Sequence, residues 1–142
     1  MAILTERDRE AVRTELAKMA GPAKLIVFST QLGASEYCVE TERLVREVAE
    51  CSDQVTVEIL NLHIDQARAE AYGVDRVPAI VVEGARDYGI RFFGIPMGYE
   101  FTNLIDSMVV ASSGTPSLGA ETLERLASLK ERVHIQVFST PT

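Results

Sequence analysis

The sequence predicts an α/β fold, a central four-stranded mixed sheet with helices on both faces. Three observations predict it. Leu25-Ile-Val-Phe28 is a consecutive apolar run, as expected for a strand buried on both faces. A helical stretch and then an alternating strand, Gln54 to Leu60, follow it. Strand, helix and strand in that order make a βαβ unit, with a right-handed crossover and parallel strands. Ala79 to Val82 and Tyr88 to Phe93 flank the turn Glu83-Gly-Ala-Arg86 and read as an antiparallel hairpin.

Each element has its own local signal. Thr5-x-x-Asp8 resembles a capping box and opens a helix whose Val12, Leu16 and Met19 form an apolar stripe. Gly21-Pro22 stops that helix, and Lys24 to Phe28 is the first strand. The next helix runs from about Glu36 to Glu50, with Cys38, Thr41, Val45 and Val48 on one face. Glu40, Arg43, Arg46, Glu47 and Glu50 populate the rest of it. Val55, Val57 and Ile59 alternate with Thr56 and Glu58 in the second strand. A short helix, Gln66 to Tyr72, is expected to be capped by Asp65 and ended by Gly73. The hairpin follows, its first strand starting directly after Pro78. After the loop Gly94-Ile-Pro-Met-Gly98, a helix over Tyr99 to Val110 carries Phe101, Leu104, Ile105 and Met108 as its core stripe.

Beyond Ala111 the composition shifts. Residues 112–119, Ser-Ser-Gly-Thr-Pro-Ser-Leu-Gly, read as a linker after a first domain of residues 1–111. Glu121 to Arg132 is a further amphipathic helix with Leu123, Leu126 and Leu129, and Val133 to Phe138 a further strand. Ile135-Gln-Val-Phe-Ser-Thr140 nearly repeats Leu25-Ile-Val-Phe-Ser-Thr30, and each is preceded by a helix and a short turn. Residues 120–142 therefore read as the start of a second copy of the domain: its helix and first strand.

The 142 residues suffice for one domain with a real core. A net charge of -7 and the lack of a Lys/Arg cluster argue against a nucleic-acid partner. No apolar run approaches the ~18 residues of a membrane span, and Met1 to Glu10 lacks the apolar core of a secretory signal. Cys38 and Cys51 are separated by about 20 Å of helix at ~1.5 Å per residue, too far to pair with each other. Cysteines without an internal disulfide, and no signal, point to a reducing, cytoplasmic setting. His63 and His134 show no ligand spacing, so no metal site is expected, and no cofactor motif stands out.

Several stretches together resemble a known family. They are Lys24 to Phe28, Ser35-Glu-Tyr-Cys38, Asp75-Arg-Val-Pro-Ala79, Arg91-Phe-Phe-Gly-Ile-Pro-Met-Gly-Tyr-Glu-Phe101 and Val137-Phe-Ser-Thr-Pro-Thr142. The chain resembles the first half of the glutaredoxin-like protein disulfide oxidoreductases of thermophilic archaea and bacteria, which carry two tandem thioredoxin folds. The amino-terminal region of the alkyl hydroperoxide reductase flavoprotein subunit is a close second. The resemblance implies a thioredoxin-like β-α-β-α-β-β-α order for Lys24 to Val110, a redox role, and a Cys-x-x-Cys at the first strand-to-helix turn. It implies a cis bond at Val77-Pro78, and Tyr37, Val77 and Pro78 as substrate-binding positions, with the Val77 backbone open to a bound peptide. It also implies a second Cys-x-x-Cys after Thr142, where this chain ends. The partners it implies are disulfide-containing proteins, or a thioredoxin reductase-like or peroxiredoxin system.

The sequence departs from that pattern at the decisive atom. Ser35 stands where the attacking cysteine would be, and Cys38 where the resolving one would be. In a dithiol site the helix N-terminus stabilises the first thiolate, which attacks a disulfide, and the second thiol resolves the intermediate. A serine hydroxyl without an adjacent base cannot replace it. Ser35 reads as a helix N-cap, and Cys38 as a small inward-facing core residue from which monothiol chemistry remains arguable. Glu100 reads as a structural charge in the first turn of the last helix of the domain. The expected function is a domain of a disulfide oxidoreductase system without dithiol activity of its own, serving as a structural or docking unit. The alternative is a monothiol oxidoreductase or redox adaptor using Cys38. The strand at Val133 to Phe138 leaves an edge that a homo-oligomer would satisfy.

Overall fold

The computed structural model describes residues 2–31 and 36–139. Thr5 caps α1 (Glu6–Leu16) with the capping box in full: its hydroxyl accepts from the Asp8 N–H, and the Asp8 carboxylate accepts from the Thr5 N–H at 3.0 Å. β1 (Ala23–Ser29) follows, then α2 (Glu36–Ala49), β2 (Val55–Asn61), α3 (Gln66–Tyr72), β3 (Ala79–Glu83), β4 (Asp87–Phe93) and α4 (Tyr99–Ser113). The sheet order is β2-β1-β3-β4. β1 and β2 are parallel, and β3 runs antiparallel to both β1 and β4. β1 and β3 are the buried strands because they lie inside the sheet with a core on each face.

Alternation along β1 divides the core. Leu25 and Val27 face one layer, where Val12 and Leu16 of α1, Leu44, Val45 and Val48 of α2, and Leu104, Ile105 and Met108 of α4 pack. Ile26 and Phe28 face the other, thinner layer, closed by Ala69 of α3 with Leu60, Val74 and Val81. The one-helix face also carries a charged cluster, in which Glu58 of β2 pairs with Lys24 of β1 and Arg68 of α3. Hydrogen bonds from Arg68, then Lys24, lower the Glu58 pKa to about 2.

Three local expectations are corrected. Asp65 precedes α3 but makes no side-chain cap. Its carboxylate instead accepts from the Asn61 N–H at 2.8 Å, closing the turn that leaves β2. Gly73 ends α3 in the left-handed conformation, φ 66°, as the pattern predicts. The last helix, α5, spans Ala120–Ala127 and stops short of Arg132. Val133 to Phe138 forms no strand, and these residues are exposed. An alternating apolar segment becomes a strand only when a neighbouring strand takes up its N–H and C=O groups.

Gly84, at the β3–β4 turn, is held by a close approach. A Cβ there would lie 1.8 Å from the Ala111 carbonyl oxygen at the end of α4. That atom is backbone, so it cannot swing aside. Gly84→Ala is expected to cost roughly 2–3 kcal/mol through this overlap, read as a lowered urea midpoint with an unchanged m-value.

Candidate functional site

The site expected from the sequence lies where β1 gives way to α2. Ser35 falls outside the described residues. Cys38 occupies the first turn of α2 and is 1 % exposed. One residue earlier, Tyr37 is 60 % exposed, because adjacent helical positions point in different directions. Its carbonyl accepts from the buried Thr41 hydroxyl at 2.7 Å, which fixes the first turn. Helix geometry thus separates the two residues: Tyr37 presents a surface and Cys38 does not.

Pairing in the sheet brings the second part of the site alongside. Phe28 is opposite Ala79, so the end of β1 adjoins the start of β3. Val77 and Pro78 immediately precede β3, and the bond between them is cis. Pro78 is buried and Val77 half-buried. The Pro78 carbonyl accepts from the Gly94 N–H at 2.9 Å, which draws the Gly94-to-Gly98 loop to the same end of the sheet. Met97 and Phe93 are exposed there, and the Arg76 guanidinium lies 5.4 Å from the centre of the Phe93 ring while pairing with Asp75. Phe93, Arg76 and Met97 were not among the site residues expected from sequence. The available signal was that Asp75-Arg-Val-Pro and Phe93-Gly-Ile-Pro-Met flank the cis bond and the loop hydrogen-bonded to it.

A reactive cysteine needs access and an electropositive surround. Cys38 is enclosed, and the exposed charge in the first turn of α2 is the anion of Glu36. Ser29 is the last residue of β1, on the same face as Leu25 and Val27. Ser29 is 3 % exposed, and its hydroxyl has no hydrogen-bond partner among the described residues. An unsatisfied buried hydroxyl costs roughly 1–3 kcal/mol, a local departure from packing that sequence periodicity did not mark. Cys51 lies beyond the far end of α2, with its thiol donating to the Glu47 carbonyl at 3.3 Å and burial raising its pKa. Cys38 and Cys51 are not joined to each other. Among the described residues no group of three or more His, Cys, Asp or Glu is arranged to hold a metal ion. Nor is any described helix long and apolar enough to cross a membrane.

No model of a known protein family matches the chain. The protein disulfide oxidoreductase of Aeropyrum pernix superposes with a TM-score of 0.79 and 28 % identity, over 93 % of this chain and 58 % of that one. The fold is thioredoxin-like. The N-terminal domain of the alkylhydroperoxide reductase AhpF from Enterococcus faecalis superposes on this thioredoxin-like domain with a TM-score of 0.80. That match has 24 % identity and covers 90 % of this chain and 62 % of that one. By sequence, the corresponding alkyl hydroperoxide reductase protein of Staphylococcus epidermidis is 26 % identical over 117 residues, 82 % of this chain and 21 % of that protein. The chain is therefore similar to both kinds of protein that its motifs resemble. It spans about a fifth of the length of the curated relatives it matches, and about three-fifths of the two solved structures.

Proposed function

We propose that this thioredoxin-like domain belongs to a disulfide-handling redox protein and acts in it as a structural and partner-docking unit without dithiol turnover. The observation that carries the reading is the burial of Cys38, 1 % exposed, in a motif whose attacking position is Ser35. A mixed disulfide needs in-line access of a thiolate to sulfur, which an enclosed thiol lacks. The docking part of the reading is supported by the exposed Tyr37, the half-buried Val77 and the exposed Phe93 and Met97 at one end of the sheet. Such a surface suits an extended segment of a disulfide-containing protein. A peroxiredoxin or a thioredoxin reductase-like protein is the class of partner suggested by relatives named as alkyl hydroperoxide reductases. Residues 1–111 form the working unit in this reading, 112–119 a linker, and 120–142 the opening of a second unit.

Insulin reduction with dithiothreitol tests the first half of the proposal. The wild-type chain is expected to give no rate above the uncatalysed background. Clear turnover overturns the reading. Alkylation with iodoacetamide, followed at Cys38 by peptide mass spectrometry, tests the second half. Cys38 is expected to react at least roughly a hundredfold more slowly than a small-molecule thiol at pH 8. Rapid modification of the folded chain would instead favour a monothiol role for Cys38.

A further inference from the structure

At the carboxyl ends of the two parallel strands lies a pocket of about 190 Å³ that shares no residue with Tyr37, Cys38, Val77 or Pro78. Its walls include Ser29 and Thr30 at the end of β1, Glu42 of α2, Ile59 and Asn61 of β2, and Asp65 from the turn before α3. The topology opens a space there. β1 and β2 are adjacent and parallel, but β1 leads into α2 on one face of the sheet and β2 into α3 on the other. Chain segments that leave neighbouring parallel strands on opposite faces part at the carboxyl ends, which is where open α/β sheets bind their ligands.

The chemistry of the walls is one-sided. Ser29 is 3 % exposed and lines the pocket, and its hydroxyl has no hydrogen-bond partner among the described residues. Glu42 is half-buried and enters none of the ion pairs of the described residues, unlike Glu47 and Glu50 on the same side of the chain. Asp65 accepts from the Asn61 N–H through Oδ2 at 2.8 Å, which leaves its Oδ1. Asn61 adds no acceptor, because its Oδ1 already takes the His63 and Ile64 N–H groups at 3.0 and 3.2 Å. No described Lys, Arg or His lines the pocket. Two carboxylates around so small a space repel one another, and the buried hydroxyl beside them lacks a partner. A neutral molecule satisfies the hydroxyl alone. A donor-rich cation satisfies the hydroxyl oxygen and both carboxylates at once.

We propose that this pocket binds a guanidinium head group, with the Ser29 hydroxyl and the Glu42 and Asp65 carboxylates as its acceptors. The three acceptors come from three separate elements around the space. A planar fork of five N–H donors spreads over such walls, whereas an ammonium concentrates its donors at one point. The volume lies below that of ordinary small-molecule sites, so it takes a head group and little more. The head group comes either from a free guanidine or from an Arg side chain of a bound protein segment. The proposal does not depend on thiol chemistry at Ser35 or Cys38.

Titration of the isotope-labelled full chain with N-acetylarginine amide, followed by backbone amide chemical shifts, tests it. Saturable shifts are expected at Ser29, Glu42 and Asp65, with a Kd of about 1–10 mM. N-acetylcitrulline amide, of nearly the same shape but uncharged, is expected to bind at least roughly tenfold more weakly. Ser29→Ala is expected to weaken the arginine probe roughly tenfold while leaving the urea midpoint unchanged or raised, since the hydroxyl has no partner to lose. Glu42→Gln, at a half-buried helix position, is expected to weaken it roughly fivefold. An extended Arg-containing peptide that binds at least roughly tenfold more tightly than the amide assigns the head group to a protein segment. Equal binding assigns it to a free molecule, and either result supports the site. No saturable shift at these amides up to about 50 mM overturns the proposal. So does binding that the citrulline probe matches, or that both Ser29→Ala and Glu42→Gln leave unchanged.

Discussion

Replacing Glu47 with alanine is expected to remove about 3–5 kcal/mol of stability, the cost of deleting one member of a buried, hydrogen-bonded charge cluster. Glu47 is on α2 and 6 % exposed. Its two carboxylate oxygens accept from the Ile3 N–H at 2.8 Å and the Leu4 N–H at 2.9 Å, and Arg9 of α1 approaches at 3.1 Å. One side chain thus ties the N-terminal segment and α1 to α2. Removing it leaves two backbone donors without their acceptor and takes from Arg9 one of its two carboxylate partners, Glu50 remaining at 2.9 Å. For a domain of this size the loss corresponds to a fall in Tm of roughly 10–20 °C. Thermal unfolding followed by circular dichroism reads it directly. Glu47→Gln keeps an acceptor oxygen and the shape, and is expected to cost less, roughly half as much. If Glu47→Ala unfolds within about 1 kcal/mol of wild type, the tie contributes little and the N-terminal segment is held by its apolar contacts alone.

The same group has a signature in pH. Burial pushes the Glu47 carboxyl up, but the Ile3 and Leu4 N–H groups and the Arg9 guanidinium outweigh it, and its pKa ends below the ordinary value. The unfolded chain then binds the proton first as pH falls. The stabilisation is complete above the unfolded carboxyl pKa, about 4.3, and is lost as pH drops towards the lower folded value. Glu47→Gln is expected to flatten part of the acid limb of a stability–pH curve. It will not flatten all of it, because Glu58, with its pKa of about 2, titrates by the same rule and stays in place.

Ser35→Cys is expected to have the largest effect on activity. It places a thiol three residues before Cys38 in the sequence, next to Glu36, the first residue of α2, and a helix N-terminus favours a thiolate. The introduced thiolate attacks a substrate disulfide, and the leaving thiolate takes a proton. Cys38 then attacks the introduced sulfur, which closes an internal disulfide and releases the second substrate thiol. The expected outcome is insulin reduction roughly a hundredfold or more above the wild-type background. Ser35→Cys combined with Cys38→Ala should form a mixed disulfide but not turn over. If Ser35→Cys alone stays at background while its two thiols can still be oxidised to a disulfide, the domain lacks a competent substrate surface, and the docking half of the proposal fails with it.

Much of this was legible in the residues. The consecutive run Leu25 to Phe28 marks a strand with a core on each face, and β1 is that strand. Thr5 and Asp8 announced a capping box because both partners lie within one turn. Helical periodicity alone puts Cys38 on the inward face of α2 with Thr41, Val45 and Val48, and all four are buried. These are local or single-element properties, governed by backbone geometry and the period of apolar residues.

What tertiary structure decided is of another kind. By pattern Glu47 belongs with the polar positions of α2, yet it is buried, because its partners Ile3 and Leu4 come from more than forty positions away in the chain. Val133 to Phe138 has the alternation of a strand but forms none, because a strand is made by its neighbour as much as by its own side chains. Pro78, Gly94 and the end of β1 meet only because β3 pairs with β1 in one register. The sequence by itself determined the elements from α1 to α4, their order and the inward face that carries Cys38. The tertiary structure decided which groups meet across the chain, because burial and long-range hydrogen bonding belong to pairs of elements, and no single element contains them.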